Sequence, residues 1–166
     1  MSSDLTCNWV MDMRQQTFGT PAQTRIATSE AQLDLVVPFT TPALTRAALK
    51  AASGMGAGLG ACIRLVRVQC VPYPLDLNQP PVYIEFLRQQ LSSFHAALPV
   101  TGEILLAREF EKGIEGALRE NSVVVLSFRK RPWRTRNERL ALHLQRNGRK
   151  VIISPDQNTE GQQKCL

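Results

Sequence analysis

The chain has 166 residues, of which 43% are hydrophobic and 20% are charged, and its formal net charge is +6. This length fits one domain, and the apolar content excludes a disordered chain. No segment approaches the roughly 20 apolar residues that span a bilayer. The four cysteines form no C-x-x-C pair. Disulfides remain possible, but we expect reduced thiols and a soluble cytoplasmic protein, since the N-terminus lacks a secretory pattern.

Apolar runs of strand length alternate with amphipathic segments over most of the chain. Residues 1–30 show no periodicity and are predicted to form a loosely ordered N-terminal arm, whereas 156–166 form a polar tail. The domain between them spans 31–155. Its predicted elements, in chain order, are a strand at 33–39, a helix at 41–55, a strand at 61–71, a helix at 82–98, a strand at 100–108, a helix at 109–121, a strand at 122–128, a helix at 135–147 and a strand at 150–154.

Local signals support the helix ends in this alternation. Thr41 can cap the first helix and Pro42 suits its first position, while Gly148 is placed to end the last helix. Continuous apolar strands are typical of a parallel sheet that is covered on both faces. The sequence therefore predicts an α/β fold with a five-stranded, doubly wound parallel sheet, whose ligands would bind beyond the carboxyl ends of the strands.

A glycine-rich run, "GMGAGLG" from Gly54 to Gly60, partly matches a dinucleotide fingerprint. Such a fingerprint must follow a strand and open a helix, so that phosphate meets the helix N-terminus. This run instead closes a predicted helix and leads into a strand. We interpret it as a helix end or a close contact between helix and sheet.

Basic residues are concentrated in one segment near the C-terminus. Residues 129–150 contain nine Lys or Arg and one acid, Glu138, and the rest of the chain carries 11 basic and 13 acidic residues, a balance of −2. Arg134 and Arg136 open the last predicted helix, where cations oppose the helix dipole. Three interpretations remain open: a solvated face, a site for an anion or nucleotide phosphate, and a polyanion-binding surface. Sequence-specific nucleic-acid binding is not expected, because no helix-turn-helix or aromatic platform is visible.

Residues that would carry catalysis are not assembled by any pattern. His95 and His143 lie inside predicted helices without an acid or thiol at metal-ligand spacing, and no Ser/His/Asp set or carboxylate pair is evident. The sequence therefore predicts neither a catalytic nor a metal site, and we expect that the protein is not an enzyme.

The stretches "DLVVPFTTPALTRAALKAA", "ACIRLVRV", "GIEGALRENSVVVLSF" and "KVIISP" resemble the universal stress protein family in order, spacing and apolar pattern. The resemblance covers roughly residues 33–155. It implies a dimeric regulatory or binding module in the stress response, which contacts an unidentified protein and pairs through its last strand, Val151–Ser154.

The resemblance also implies where ligand contacts would lie. Thr40 stands where ATP-binding members carry an acid, and no glycine of their phosphate loop remains, since Ser127, Lys130 and Leu140 occupy the glycine positions. We therefore expect a variant without family-type binding of ATP or AMP. The alternative is a nucleotide-binding switch or hydrolase with a rebuilt basic phosphate site at 127–136. The candidate ligand residues are Pro38, Thr40, Thr41, Val68, Ser127, Arg129, Lys130, Arg131 and Arg134.

Overall fold

The structure is a computed structural model that describes residues 33–77, 82–129 and 132–155. Within these residues five strands alternate with four helices. Their bounds are β1 (Asp34–Pro38), α1 (Pro42–Gly56), β2 (Cys62–Cys70), α2 (Ile84–Ser92), β3 (Val100–Ala107), α3 (Phe110–Ala117), β4 (Ser122–Phe128), α4 (Arg136–Arg146) and β5 (Lys150–Pro155). The predicted alternation is confirmed, while the predicted arm at 1–30 and tail at 156–166 lie outside the described residues.

The five strands form one parallel sheet in the order β3-β2-β1-β4-β5. One face of β1 packs with α1 and α2 through Leu35 and Val37, and the opposite face packs with α3 and α4 through Val36. The predicted doubly wound α/β sheet is therefore confirmed. From β1 the chain first builds the β2 side and then crosses to the β4 side. The carboxyl ends of β1 and β4 thus flank the topological switch point, where such sheets bind ligands.

Helix α2 is shorter than its sequence pattern predicts: it ends at Ser92, whereas the pattern extends to residue 98. The hydroxyls of Ser92 and Ser93 donate to the carbonyls of Gln89 and Gln90 at 2.8 Å, so side chains satisfy carbonyls that a longer helix would use. Phe94 then packs edge-on against Phe39, with ring centroids 5.6 Å apart. The apolar periodicity extended into this loop because Phe94 is buried there and Leu98 is partly buried.

The glycine-rich run ends α1, as its position in the sequence predicts. A Cβ atom on Gly56 would lie 2.6 Å from Leu98 Cδ1 and 2.8 Å from Ala61 Cβ, so close packing requires glycine there. Gly58 and Gly60 adopt φ angles of 78° and 62°, which glycine reaches without strain. The run is a helix end in close contact with its neighbours.

A buried ionic network joins the amino-terminal halves of four strands. Arg64 of β2 is 6% exposed, and its Nε and Nη2 donate to the two carboxylate oxygens of Asp34, both at 2.7 Å. Its Nη1 donates to Glu103 of β3 at 3.0 Å, and its Nη2 donates to the Ala117 carbonyl at 2.9 Å. Ser122 of β4 donates to Asp34 at 2.5 Å. This network lies toward the amino-terminal ends of the strands, opposite the switch point. Its position indicates a structural role.

Candidate functional site

The crevice between the carboxyl ends of β1 and β4 is bridged by Asn137, the second residue of α4. Asn137 is 4% exposed, and its Nδ2 donates to the Ser127 carbonyl at 2.6 Å and to Thr40 Oγ1 at 3.3 Å. The Thr40 amide donates to Thr45 Oγ1 at 3.4 Å. These contacts hold the first turn of α4 against both strand ends. A ligand at the switch point would have to displace them.

The N-terminus of α4 is closed by a capping box. The Thr135 amide donates to Glu138 Oε2 at 2.7 Å, and the Glu138 amide donates to Thr135 Oγ1 at 3.3 Å. A carboxylate of the protein itself therefore lies at the positive end of the helix, where a phosphate would otherwise bind. Glu138, the one acid of the basic segment, neutralises this position.

The structure brings together only some of the predicted ligand residues. Thr40 and Ser127 meet through Asn137, and Pro38 is the buried last residue of β1. Thr41 caps α1, where its Oγ1 accepts from the Leu44 amide at 3.4 Å. The Ser127 hydroxyl is buried and has no hydrogen-bond partner in the described part of the chain.

Val68 lies on β2, Arg129 follows β4 directly, and Arg134 precedes α4. The side chain of Val68 belongs to the apolar core under α3 and α4, and two further residues of β2 follow it. Arg129 is exposed just after β4, whereas Arg134 is exposed beside α4 and β5. Lys130 and Arg131 fall outside the described residues.

A cation–π contact explains why an arginine, Arg136, occupies the first position of α4. The guanidinium carbon of Arg136 lies 3.9 Å from the centroid of the Phe110 ring at the start of α3. This cation–π contact attaches α4 to α3 and offsets the unfavourable position of a cation at the positive end of a helix. The Arg136 side chain is thus a packing element in this arrangement.

An apolar groove lies between α4 and β5. Its volume is about 330 Å³. Trp133 is 70% exposed at this groove, and Ile153 of β5 is 39% exposed. The lining residues are Phe128, Pro132, Trp133, Arg134, Glu138, Ala141, Leu142, Gln145 and Ile153. The exposed apolar surface of this segment is therefore beside the sheet edge and not at the switch point.

Strand β5 is an edge strand that pairs only with β4 in the described sheet. Its neighbouring residues Ile152 and Ile153 are each 39% exposed. Successive side chains of a strand point to opposite faces, so Ile152 lies on the face away from the groove. An edge with unpaired backbone groups and exposed apolar side chains is a template for pairing with another strand.

Sequence reasoning missed both the capping box of α4 and the role of Asn137 in bridging the crevice. The pattern Thr-x-x-Glu at Thr135–Glu138, directly before an apolar run, is the signature of a capping box and could have been read. No comparable signal marks Asn137, because its role depends on contacts with Thr40 and Ser127 in distant parts of the chain.

The chain matches no protein-family model, and a search of curated proteins finds no match. In the described part of the chain, no group of three or more His, Cys, Asp or Glu side chains is arranged to hold a metal ion. None of the helices described is long and apolar enough to cross a membrane.

Proposed function

We propose that this chain is a homodimeric binding module of the universal stress protein type, which lacks the nucleotide site of that family and acts through contacts with a protein partner. The observation that carries the proposal is the capping box at the start of α4. The Glu138 carboxylate bonds the Thr135 amide at 2.7 Å, at the position where a phosphate group would need to bind.

A second set of contacts supports the loss of nucleotide binding. The buried amide of Asn137 spans the switch point from the Ser127 carbonyl to Thr40. A nucleotide base or phosphate in this crevice would have to break these hydrogen bonds, and each buried group that it failed to satisfy would cost about 1–3 kcal/mol. Arg134, one of the predicted phosphate ligands, lies beside the groove between α4 and β5 instead.

The exposed edge of the sheet supports the dimer. Two copies of β5 could pair side by side about a twofold axis and extend the sheet, because an isologous interface uses the same surface on both subunits. Pairing would cover Ile152 and satisfy the free backbone groups of the edge.

We expect no nucleotide binding at micromolar concentration. Native mass spectrometry with ATP or AMP should show only unliganded protein, and neither nucleotide should raise Tm, because a ligand of the folded state stabilises it by RT ln(1 + [L]/Kd). Arg134→Ala should behave like the wild-type protein. Micromolar binding that is lost in Arg129→Ala and Arg134→Ala would contradict the proposal and favour a rebuilt phosphate site.

We expect light scattering to give a mass of about twice the 18.5 kDa of the chain. Ile152→Lys should reduce the mass to that of the monomer, because it places a charge at the centre of the pairing edge. Leu59→Lys is the matched control, since Leu59 is an exposed apolar residue in the turn after α1. A wild-type mass of one chain at high concentration would remove the dimer from the proposal.

A further inference from the structure

The groove between α4 and β5 is characterised by its lining and its volume. The helical wall consists of Glu138, Ala141, Leu142 and Gln145. Ile153 contributes from β5, and the exposed ring of Trp133 also lines the groove. Its volume of about 330 Å³ is near the lower end of the roughly 300–1,000 Å³ of typical ligand pockets. A space of this size and lining suits one or two large apolar side chains.

Basic side chains lie on and beside the groove. Arg134 lines it, Arg146 lies one helical turn beyond Leu142, and Arg149 precedes β5. We call these three residues the basic rim. None of them forms an ion pair within the described part of the chain.

The acid within this segment, Glu138, lines the groove itself and offsets the rim only in part. The carboxylate of Glu138 is held by the Thr135 amide inside the capping box. It already compensates the positive end of the α4 dipole. The rim therefore keeps its positive potential toward solvent, and complementary charge on a partner would steer association and fix its orientation.

We infer that the groove binds a short protein segment in which an aromatic or aliphatic anchor is flanked by acidic residues. The anchor enters between Trp133, Leu142 and Ile153, and the flanking carboxylates contact the basic rim. This inference rests on the proposal that the chain is a protein-binding module, and it names the chemistry of the partner.

Two other occupants fit the groove less well. A second copy seated in the groove would bring its own basic rim against that of the first, and like charges disfavour such an interface. Single-stranded RNA would suit the charge, but RNA-binding surfaces stack successive bases on several aromatic rings. Trp133 is the one strongly exposed ring among the described residues around the groove.

The test is a random dodecapeptide library displayed on phage and panned against the purified full chain. We expect enriched peptides to contain an aromatic or aliphatic residue flanked by Asp or Glu. A synthetic peptide of the enriched sequence, followed by fluorescence anisotropy, should bind at least about tenfold more weakly to Trp133→Ala and Leu142→Asp. Binding should also weaken for Arg134→Glu, and when salt rises from about 50 to about 300 mM.

Two matched variants separate the groove from general surface effects. Tyr83→Ala removes an exposed ring before α2, and Lys50→Glu reverses an exposed charge on α1, so both should bind the peptide like the wild-type protein. All variants should keep the wild-type Tm within a few degrees, because these side chains are exposed or only half-buried.

The outcomes decide the inference and separate it from the proposed function. The inference would be overturned if panning enriched basic peptides or no peptides at all. It would also be overturned if binding survived Trp133→Ala and Leu142→Asp, or if poly(U) displaced the peptide at a lower concentration than unlabelled peptide does. Peptide binding to Ile152→Lys at wild-type affinity would support a groove that acts in the monomer. A monomeric wild-type chain that binds the peptide would remove the dimer alone and uphold the groove.

Discussion

Replacing Arg64 by Met is expected to lower the free energy of unfolding by about 3–5 kcal/mol, because it removes one partner from a buried ion pair and leaves the other uncompensated. Asp34 is 5% exposed and receives two hydrogen bonds of 2.7 Å from the guanidinium. The variant would also leave Glu103 and the Ala117 carbonyl without the donors they use now. Urea unfolding followed by circular dichroism measures the loss.

Arg67→Met is the matched control on the same strand. Arg67 stacks on the Phe39 ring at 4.6 Å and donates to Gln90, and burial lowers the pKa of its guanidinium, but no carboxylate of the described residues pairs with it. We expect a loss of roughly 1 kcal/mol from the stacking contact. Equal losses in the two variants would contradict the special role of the Arg64 network.

The pH dependence gives an independent reading of the same network. Burial alone would raise the pKa of Asp34, but hydrogen bonds from Arg64 and Ser122 outweigh it and hold the pKa below its ordinary value of 3.8. Asp34 therefore stabilises the wild-type fold above this value, and the contribution is lost as pH falls through the lowered folded-state pKa. Without Arg64, burial should raise the pKa of Asp34. The difference in stability between wild type and Arg64→Met should then shrink as pH falls from 7 toward 4.

Replacing Gly113 by Ala is expected to destabilise the fold by about 1–3 kcal/mol, because the added methyl group would overpack the contact between α3 and the sheet. A Cβ atom there would lie 2.6 Å from Val68 Cγ1 and 3.0 Å from Ala107 Cβ. Val68 is β-branched and restricted at χ1, so it has little freedom to move away. Thermal unfolding should show a lower Tm.

Gly54→Ala supplies the control for this prediction. Gly54 lies in α1, and no atom outside its own helix backbone comes within 4 Å of its Cβ position. Alanine there should stabilise the fold by about 0.5–1 kcal/mol through helix propensity alone. The double variant Gly113→Ala with Val68→Ala should recover part of the loss, and a stabilised Gly113→Ala would refute the packing argument.

The expected role of Val68 illustrates a limit of sequence reasoning. The resemblance to the universal stress protein family placed Val68 among the candidate ligand residues. In the structure the strand continues to Cys70, and the side chain of Val68 packs against Gly113 of α3. The apolar run shows that the residue belongs to a buried strand, but it does not say which helix covers it.

The sequence by itself determined the order of strands and helices, the cap of α1 by Thr41, the end of that helix in the glycine-rich run, and the parallel doubly wound sheet. These features depend on local periodicity and on the backbone preferences of single residues. Residues that are close together in the chain are therefore enough to predict them.

Only the tertiary structure decided which polar and apolar side chains meet. Arg64 and Asp34 are 30 residues apart, and Asn137 reaches Thr40 across 97 residues. The groove likewise needs α4, β5 and Trp133 together. Such contacts depend on how distant elements pack, and a buried polar group must find a partner wherever the fold brings one within about 3 Å. For this reason the basic residues of this segment have different surroundings, although the sequence shows them as one cluster. The structure places them around a capped helix end, against the Phe110 ring and at the rim of an apolar groove.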